Sequence, residues 1–297
     1  MAFERLTDRV GWISGGVNTG VIRLDDRRVA VIDPGLNETS GKWVIKTVSE
    51  ELGSDIVAIV TTHAHADHFG ANAAVVKRTG AAVYAPAVEE MILRFPLLQP
   101  AMLFGGSDPL DALRTGFLLA HASPVDHVID GPTFAIDGVE IEVVPLWGHS
   151  ARQVGYLIDG VLFSADVLLP ETALVKYPIP YVFSLTDHQW SLHSMSELTF
   201  DTAIPGHGTL MTDVAERLGA NQVAIDRVAE AVLDAIESPS QQADIIASVA
   251  ERLGATIVDA PAYYLVQPTI GAFLSHLQRI GEVQHEIVGM RSVWSRR

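Results

Sequence analysis

The stretch Ile56-Val57-Ala58-Ile59-Val60-Thr61-Thr62-His63-Ala64-His65-Ala66-Asp67-His68 decides how the chain is read. It opens on an apolar, mostly β-branched run bounded by polar residues, the pattern of a buried strand. Four side chains able to bind a metal then fall within the next eight residues, on the loop leaving the C-terminal end of that strand. Side chains alternate in direction along such a loop. His63, His65 and Asp67 are therefore expected to converge on one point while His68 faces a neighbouring one, giving two adjacent metal sites. Neutral imidazole is a common zinc ligand, and a carboxylate adds charge and can help turn a bound water into a nucleophile. The alternative is a chance cluster of histidines on a polar loop, which 11 His in 297 residues do little to support.

A site with this many ligands needs partners from distant sequence. His149 lies in Pro145-Leu146-Trp147-Gly148-His149-Ser150, Asp166 in Phe163-Ser164-Ala165-Asp166, and His207 in Ile204-Pro205-Gly206-His207-Gly208. Each follows an apolar, strand-like run. The order His-x-His-x-Asp-His, then Gly-His, then an Asp ending a strand, then Pro-Gly-His-Gly resembles the metallo-β-lactamase-fold superfamily of hydrolases over about residues 10 to 208. That resemblance implies an α/β (α+β) fold class, a four-layered αββα sandwich with a small, mainly helical C-terminal subdomain. It also implies a ligand set: His63, His65 and His149 for a first metal, Asp67, His68 and His207 for a second, and Asp166 bridging the two. Asp33, at a strand end in Asp33-Pro34-Gly35, matches an acidic residue that sits behind the ligands, although Asp before Pro-Gly is also ordinary turn chemistry.

Composition bounds the remaining choices. The chain is long enough for one large domain with a small appendage. Hydrophobic residues make up 48% and charged residues 19%, which fits a compact globule. The net charge of −16 argues against a general affinity for nucleic acid, where neutralising phosphates supplies most of the binding. There is no cysteine, so disulfides and a Cys zinc ligand are excluded, and the bridging position carries Asp166. The opening Met1-Ala2-Phe3-Glu4-Arg5 lacks a basic region followed by a long apolar one, and no run approaches membrane-span length. A cytoplasmic protein with a small-molecule substrate, no nucleic-acid or membrane partner, and a homodimer as one option is the expectation.

The chain in order is expected to give a strand pair over Gly20–Leu24 and Arg28–Ile32, and a helix from Ser40 to Leu52 stopped by Gly53. A further helix from Ala71 to Thr79 stopped by Gly80 and a strand from Ala82 to Ala85 come after the histidine motif. Residues 86–127 form a long segment rich in Met, Leu and Phe and broken by Pro96, Pro100 and Pro109. It reads either as a helical hairpin packing on the core or as a lid walling the substrate pocket. Hairpins are expected at Asp137-Gly138 and Asp159-Gly160. His188 and His193 are badly spaced for one metal and read as surface or packing residues, whereas Tyr177 and Tyr181 are candidates to contact a substrate. The catalytic domain is placed at 1–208 and the tail at 209–297, with helices over 211–236, 241–253 and 268–280 and a terminal hairpin over 283–293. The tail resembles the small winged-helix-like appendage of one branch of the superfamily, but its acidic balance favours packing or dimerisation over DNA contact.

The resemblance implies a binuclear metal-dependent hydrolase. Two divalent ions, zinc first and iron or manganese as alternatives, would hold a bridging hydroxide against a small ester, thioester or lactone. Asp67 would orient it and pass a proton to the leaving group. The nearest branch is glyoxalase II-like, although a basic set to grip glutathione is not identifiable. Leu169 stands three residues after Asp166, where lactonases of acylated homoserine lactones commonly carry Tyr. An iron-dependent persulfide dioxygenase, a phosphodiesterase and a non-enzymatic sensor are the other readings.

Overall fold

The computed structural model describes residues 2–297; Met1, which opens the stretch read above for a leader, lies outside them. Seven strands form the first sheet in sequence order: β1 (Phe3–Arg5), β2 (Val10–Ile13), β3 (Thr19–Arg23), β4 (Arg28–Ile32), β5 (Asp55–Val60), β6 (Ala82–Pro86) and β7 (His127–Ile129). Pairing is antiparallel from β1 to β4 and parallel from β4 to β7. The second sheet, in the order β12-β11-β10-β9-β8, contains β8 (Thr133–Ile136), β9 (Val139–Pro145), β10 (Val154–Ile158), β11 (Val161–Ala165) and β12 (Thr202–Pro205). It is antiparallel except for the β11–β12 pair. Asp137-Gly138 and Asp159-Gly160 turn its two hairpins with positive φ at both residues, the backbone that two-residue hairpin loops need.

The period of two along each strand explains the layering. Ile22, Ala30, Ile32, Ala58 and Val60 pack inward against Ile141, Tyr156, Phe163 and Ile204, filling the space between the sheets. The alternate residues Val21, Val29, Val31 and Ile59 face outward and are covered by α1 (Glu38–Leu52) and α3 (Asn72–Thr79) through Val44, Val48 and Val75. The four-residue helix α2 (Ala66–Phe69) lies between them in sequence. Helices α4 (Glu89–Arg94) and α5 (Leu98–Leu103) belong to the 86–127 segment, and α6 (Glu171–Lys176) follows β11. On the far side, Val144, Leu146 and Leu162 of the second sheet are capped by Leu192 and Met195 of α7 (Leu185–Glu197). The result is helix, sheet, sheet, helix, as expected.

Helices α8 (Ala215–Asp234), α9 (Gln242–Leu253) and α10 (Ala260–Arg279) and the hairpin β13 (Val283–Val288)–β14 (Arg291–Arg296) build their own apolar cluster. That cluster also takes in Ile179, Val182 and Leu185, which precede the tail in sequence. The third tail helix starts at Ala260 rather than near Pro268. The Asp259 side chain caps it by accepting from Ala262 N, and Pro268 sits inside it. Burial of Ile270, Phe273 and Leu274 offsets the backbone hydrogen bond that an interior proline removes. None of the helices is long and apolar enough to cross a membrane among the described residues.

Ile141, fully buried between the sheets, tests this layering. Ile141→Ala is expected to cost about 2–5 kcal/mol in a urea unfolding curve; a loss below about 1 kcal/mol contradicts the intersheet core described here.

Candidate metal centre

All seven predicted ligands and Asp33 leave the C-terminal ends of strands on one edge of the sandwich. Asp33 follows β4; His63 and His65 follow β5; Asp67 and His68 lie on α2; His149, Asp166 and His207 follow β9, β11 and β12. Parallel pairing of β4 with β5 and of β11 with β12 puts these ends together. Local backbone devices then aim the side chains. The β11–β12 register shifts between Phe163 and Ala165, and Ala165 takes φ +48°, a bulge that turns Asp166 inward. Gly206 is required because a Cβ there would lie 2.0 Å from Asp166 Oδ1 and 2.9 Å from His68 Cε1. Gly148, at φ +114°, leaves no room for a Cβ against the backbone of His188.

Three imidazoles form the first cluster. His65 Nδ1 lies 3.0 Å from His63 Nε2 and 2.9 Å from His149 Nε2. Neighbouring ligands around a tetrahedral zinc with ~2.0–2.1 Å bonds are separated by roughly 3.3 Å, so these nitrogens sit close to coordination spacing. The second cluster comprises Asp67, His68 and His207, with Asp67 Oδ2 3.3 Å from His207 Nε2 and 4.0 Å from His68 Nε2. Asp166 Oδ2 stands between them, 3.3 Å from His68 Nε2, 3.4 Å from His207 Nε2 and 3.6 Å from His149 Nε2. Alternation along the loop holds only as far as His65. The helical turn of α2 begins at Ala66 and carries Asp67 away from His63 and His65 to join His68, which corrects the convergence expected of an extended loop.

Asp33 groups geometrically with His63 and His68, yet its oxygens are already engaged. Oδ1 accepts from Thr62 N at 2.9 Å, and Oδ2 lies 2.5 Å from the Thr62 hydroxyl and 2.8 Å from His68 Nδ1. It therefore fixes the ring of His68 with Nε2 facing the centre, the arrangement by which an outer carboxylate orients a ligating histidine. His207 is fixed likewise, its Nδ1 2.6 Å from Gly16 O. The fit to metal rests on what remains: His68 Nε2 and Asp166 Oδ1 are buried without a hydrogen-bond partner, although buried polar atoms are nearly always paired.

The electrostatics divide along the same line. Burial, reinforced by neighbouring imidazoles, holds His63 well below its usual range and brings His149 down to about 3, so both are neutral with lone pairs available. Burial also lowers His65, partly countered by Asp67 and Glu89. In the second cluster burial again opposes charge, but Asp166 and Asp67 outweigh it and push His207 up to about 10 and His68 well above its normal range. Asp67 is held at about 2, the penalty of burial being exceeded by His68 and His207. Asp166 is buried too, and His68 and His207 hold it well below the usual carboxylate range. The carboxylates thus draw positive charge onto His68 and His207.

The other predicted residues separate. The ring of Tyr181 packs edge-on against His65 and His149, with centroids 5.5 and 5.8 Å apart. Tyr177 is 55% exposed and packs with Lys176 instead. His188 is a buried packing residue behind the His149 loop, lowered to about 4 by burial, and His193 is on the surface beside Glu197. Two residues of the centre carry little sequence signal. Asn18 donates to Pro205 O and Gly208 O, both at 2.9 Å, and so shapes the His207 loop. Glu89, only 1% exposed, accepts from Ala64 N, Ser150 Oγ and Arg152 N. Its place just after β6, the parallel neighbour of β5, is the one clue the sequence offered.

The chain belongs to the metallo-beta-lactamase superfamily, whose sequence model matches residues 12–207. Among characterised proteins it is similar to a hydroxyacylglutathione hydrolase of Albidiferax ferrireducens, 29% identical over 149 residues, which cover 48% of this chain and 45% of that protein. A hydroxyacylglutathione hydrolase of Xanthomonas campestris pv. campestris is 30% identical over 144 residues, 48% of this chain and 43% of the relative. The match thus spans about half the length of these curated relatives. The fold is shared with a beta-lactamase domain protein from Burkholderia ambifaria, at a TM-score of 0.78 and 20% identity over 99% of this chain and 93% of the other.

Two outcomes follow. Gly206→Ala is expected to displace Asp166, so that the variant folds, by circular dichroism, but retains less metal than the parent; undiminished metal content contradicts the packing described. Because His68 and His207 carry protons in the metal-free protein, metal must displace them. Affinity should therefore rise with pH toward about 10. Calorimetry at pH 8 in buffers of differing ionisation enthalpy should register proton release on metal binding, with His207, at about 10, as one source; no proton release contradicts it.

Proposed function

We propose that the chain is a binuclear metal-dependent hydrolase of small esters, thioesters or lactones. The observation that carries this reading is Asp166 Oδ2, placed within 3.3–3.6 Å of ring nitrogens from both clusters. His63, His65 and His149 would hold one ion and Asp67, His68 and His207 the other, with Asp166 shared. Two divalent ions, zinc being the best suited to the nitrogen-rich set, supply Lewis acidity toward a carbonyl oxygen and an activated water when bound.

The chain's own residues then have separable tasks. The Asp67 and His207 side chains are 20% and 28% exposed, against 6% for Asp166, so substrate would approach from their side. Asp67 would orient the attacking water and afterwards carry a proton to the leaving group. Tyr181 flanks the three-histidine cluster from the other side. Burial keeps its phenol above its usual range and protonated, which suits it to donate a hydrogen bond to a substrate carbonyl. It would take the place of the tyrosine that lactonases carry where this chain has Leu169, which instead exchanges hydrogen bonds with Asn221 through its backbone. The glyoxalase II-like relatives support thioesters as the first class to test.

The test is a panel of thioesters, esters, lactones and phosphodiesters assayed with zinc-loaded protein, its Asp67→Ala variant and its Tyr181→Phe variant. Hydrolysis of one carbonyl class, with kcat reduced about 10²-fold or more in Asp67→Ala, is expected. Turnover of phosphodiesters alone, or no hydrolysis of any carbonyl class by the zinc-loaded protein, overturns the proposal. Tyr181→Phe should lower kcat/KM by about tenfold.

A further inference from the structure

Glu89 lies outside the ligand set, in the segment after β6, and yet it touches both loops that carry the three-histidine cluster. Its Oε2 accepts from Ala64 N at 2.8 Å, and Ala64 stands between His63 and His65. Its Oε1 accepts from Ser150 Oγ and Arg152 N, each at 2.7 Å, and Ser150 follows His149. One carboxylate therefore clamps the backbones that present all three imidazoles. The residue before it, Val88, is held at φ +75° and ψ −51°, a conformation β-branched residues almost never adopt, so the chain accepts strain where it delivers this side chain.

The charge of Glu89 is also unanswered. Among the described residues no Lys, Arg or His forms an ion pair with it, and the nearby Arg152 guanidinium lies 4.0 Å over the Trp147 ring instead. A buried, unpaired carboxylate is costly unless a cation offsets it. The adjacent cluster is three imidazoles that bring no negative charge of their own. The other cluster has its outer carboxylate in Asp33, hydrogen-bonded directly to His68; among the described residues no outer carboxylate bonds an imidazole of the three-histidine cluster directly, Asp33 reaching His63 only through the Thr62 hydroxyl.

We propose that Glu89 is a positioning residue for metal binding: it sets the spacing of His63, His65 and His149 through Ala64, Ser150 and Arg152, and adds a buried carboxylate on the outer side of this cluster, whose inner side has the shared Asp166. The inference rests on the metal-binding part of the proposed function. Glu89→Gln is the informative variant because it keeps the shape and removes the charge. In either orientation its amide nitrogen faces a backbone N–H, that of Ala64 or of Arg152, so one clamp is lost as well.

The experiment is competition of the metal-free protein with a chelator for Zn²⁺, which gives both dissociation constants for the parent, Glu89→Gln and Ser150→Ala. Thermal unfolding of each metal-free form is recorded alongside. In Glu89→Gln one dissociation constant should rise by about 10–100-fold and the other by less than about threefold, with a smaller rise of the same constant in Ser150→Ala. Unchanged constants with only a lowered Tm, or both constants rising equally, overturn the inference by making Glu89 a general stabiliser. If Glu89→Gln does not fold, Ser150→Ala decides the question: a selective rise of one constant supports the inference, and none overturns it. A parent that binds no Zn²⁺ refutes the metal-binding reading instead, and the two failures are distinguishable.

Discussion

The convergence of buried imidazole nitrogens and carboxylate oxygens on one small space is the constraint that organises this protein. His63, His65 and His149 turn nitrogens toward a common point at about 3 Å spacing, and Asp166 brings a carboxylate oxygen to within 3.6 Å of the same group. In the metal-free protein the contacts of His65 Nδ1 are N–H···N hydrogen bonds whose direction the ring tautomers set. In the second cluster the carboxylates answer the constraint by drawing protons onto His68 and His207. The rest of the architecture holds this arrangement in place.

The scaffold does so by making the ligand loops depend on one another. Val154 N donates to Thr62 O, and the phenol of Tyr156 donates to Thr61 O, so the second sheet grips the loop that leaves β5 in the first. Gln153 donates to Leu146 O and accepts from Asp166 N, which joins the His149 and Asp166 loops. Asn18 does the same for the His207 loop, and Asp33 for His68. The bonds of Tyr156, Asn18 and Asp33 cross between segments far apart in sequence, so both sheets contribute to holding the centre. A rigid scaffold carrying loops of this kind is what catalysis by position requires.

Much of this was legible in the sequence, for identifiable reasons. The β-branched run before Thr61, the Asp-Gly turns and the αL glycines at Gly53 and Gly80 are local signals, and they placed β5, the two hairpins and the ends of α1 and α3. The candidate ligands share one position, the C-terminal end of a strand, which made them stand out. What remained hidden depends on tertiary contact. Extended-loop alternation groups Asp67 with His63 and His65, whereas the helical turn at Ala66 sets it beside His68, the grouping that only the family resemblance implied. The start of α10 was missed because Pro268 reads locally as a boundary, whereas capping by Asp259 and packing of Phe273 carry the helix through it. Tyr177 and Tyr181 are equivalent in sequence, and only the fold sets one against the imidazoles and the other on the surface.

The centre's nuclearity is the claim on which the account stands, and anomalous diffraction from crystals grown with Zn²⁺, recorded on both sides of the zinc edge, tests it most directly. Two peaks roughly 3.5–4 Å apart are expected, one among His63, His65 and His149 and one among Asp67, His68 and His207, with Asp166 between them. A single peak, or peaks on other residues, would contradict it.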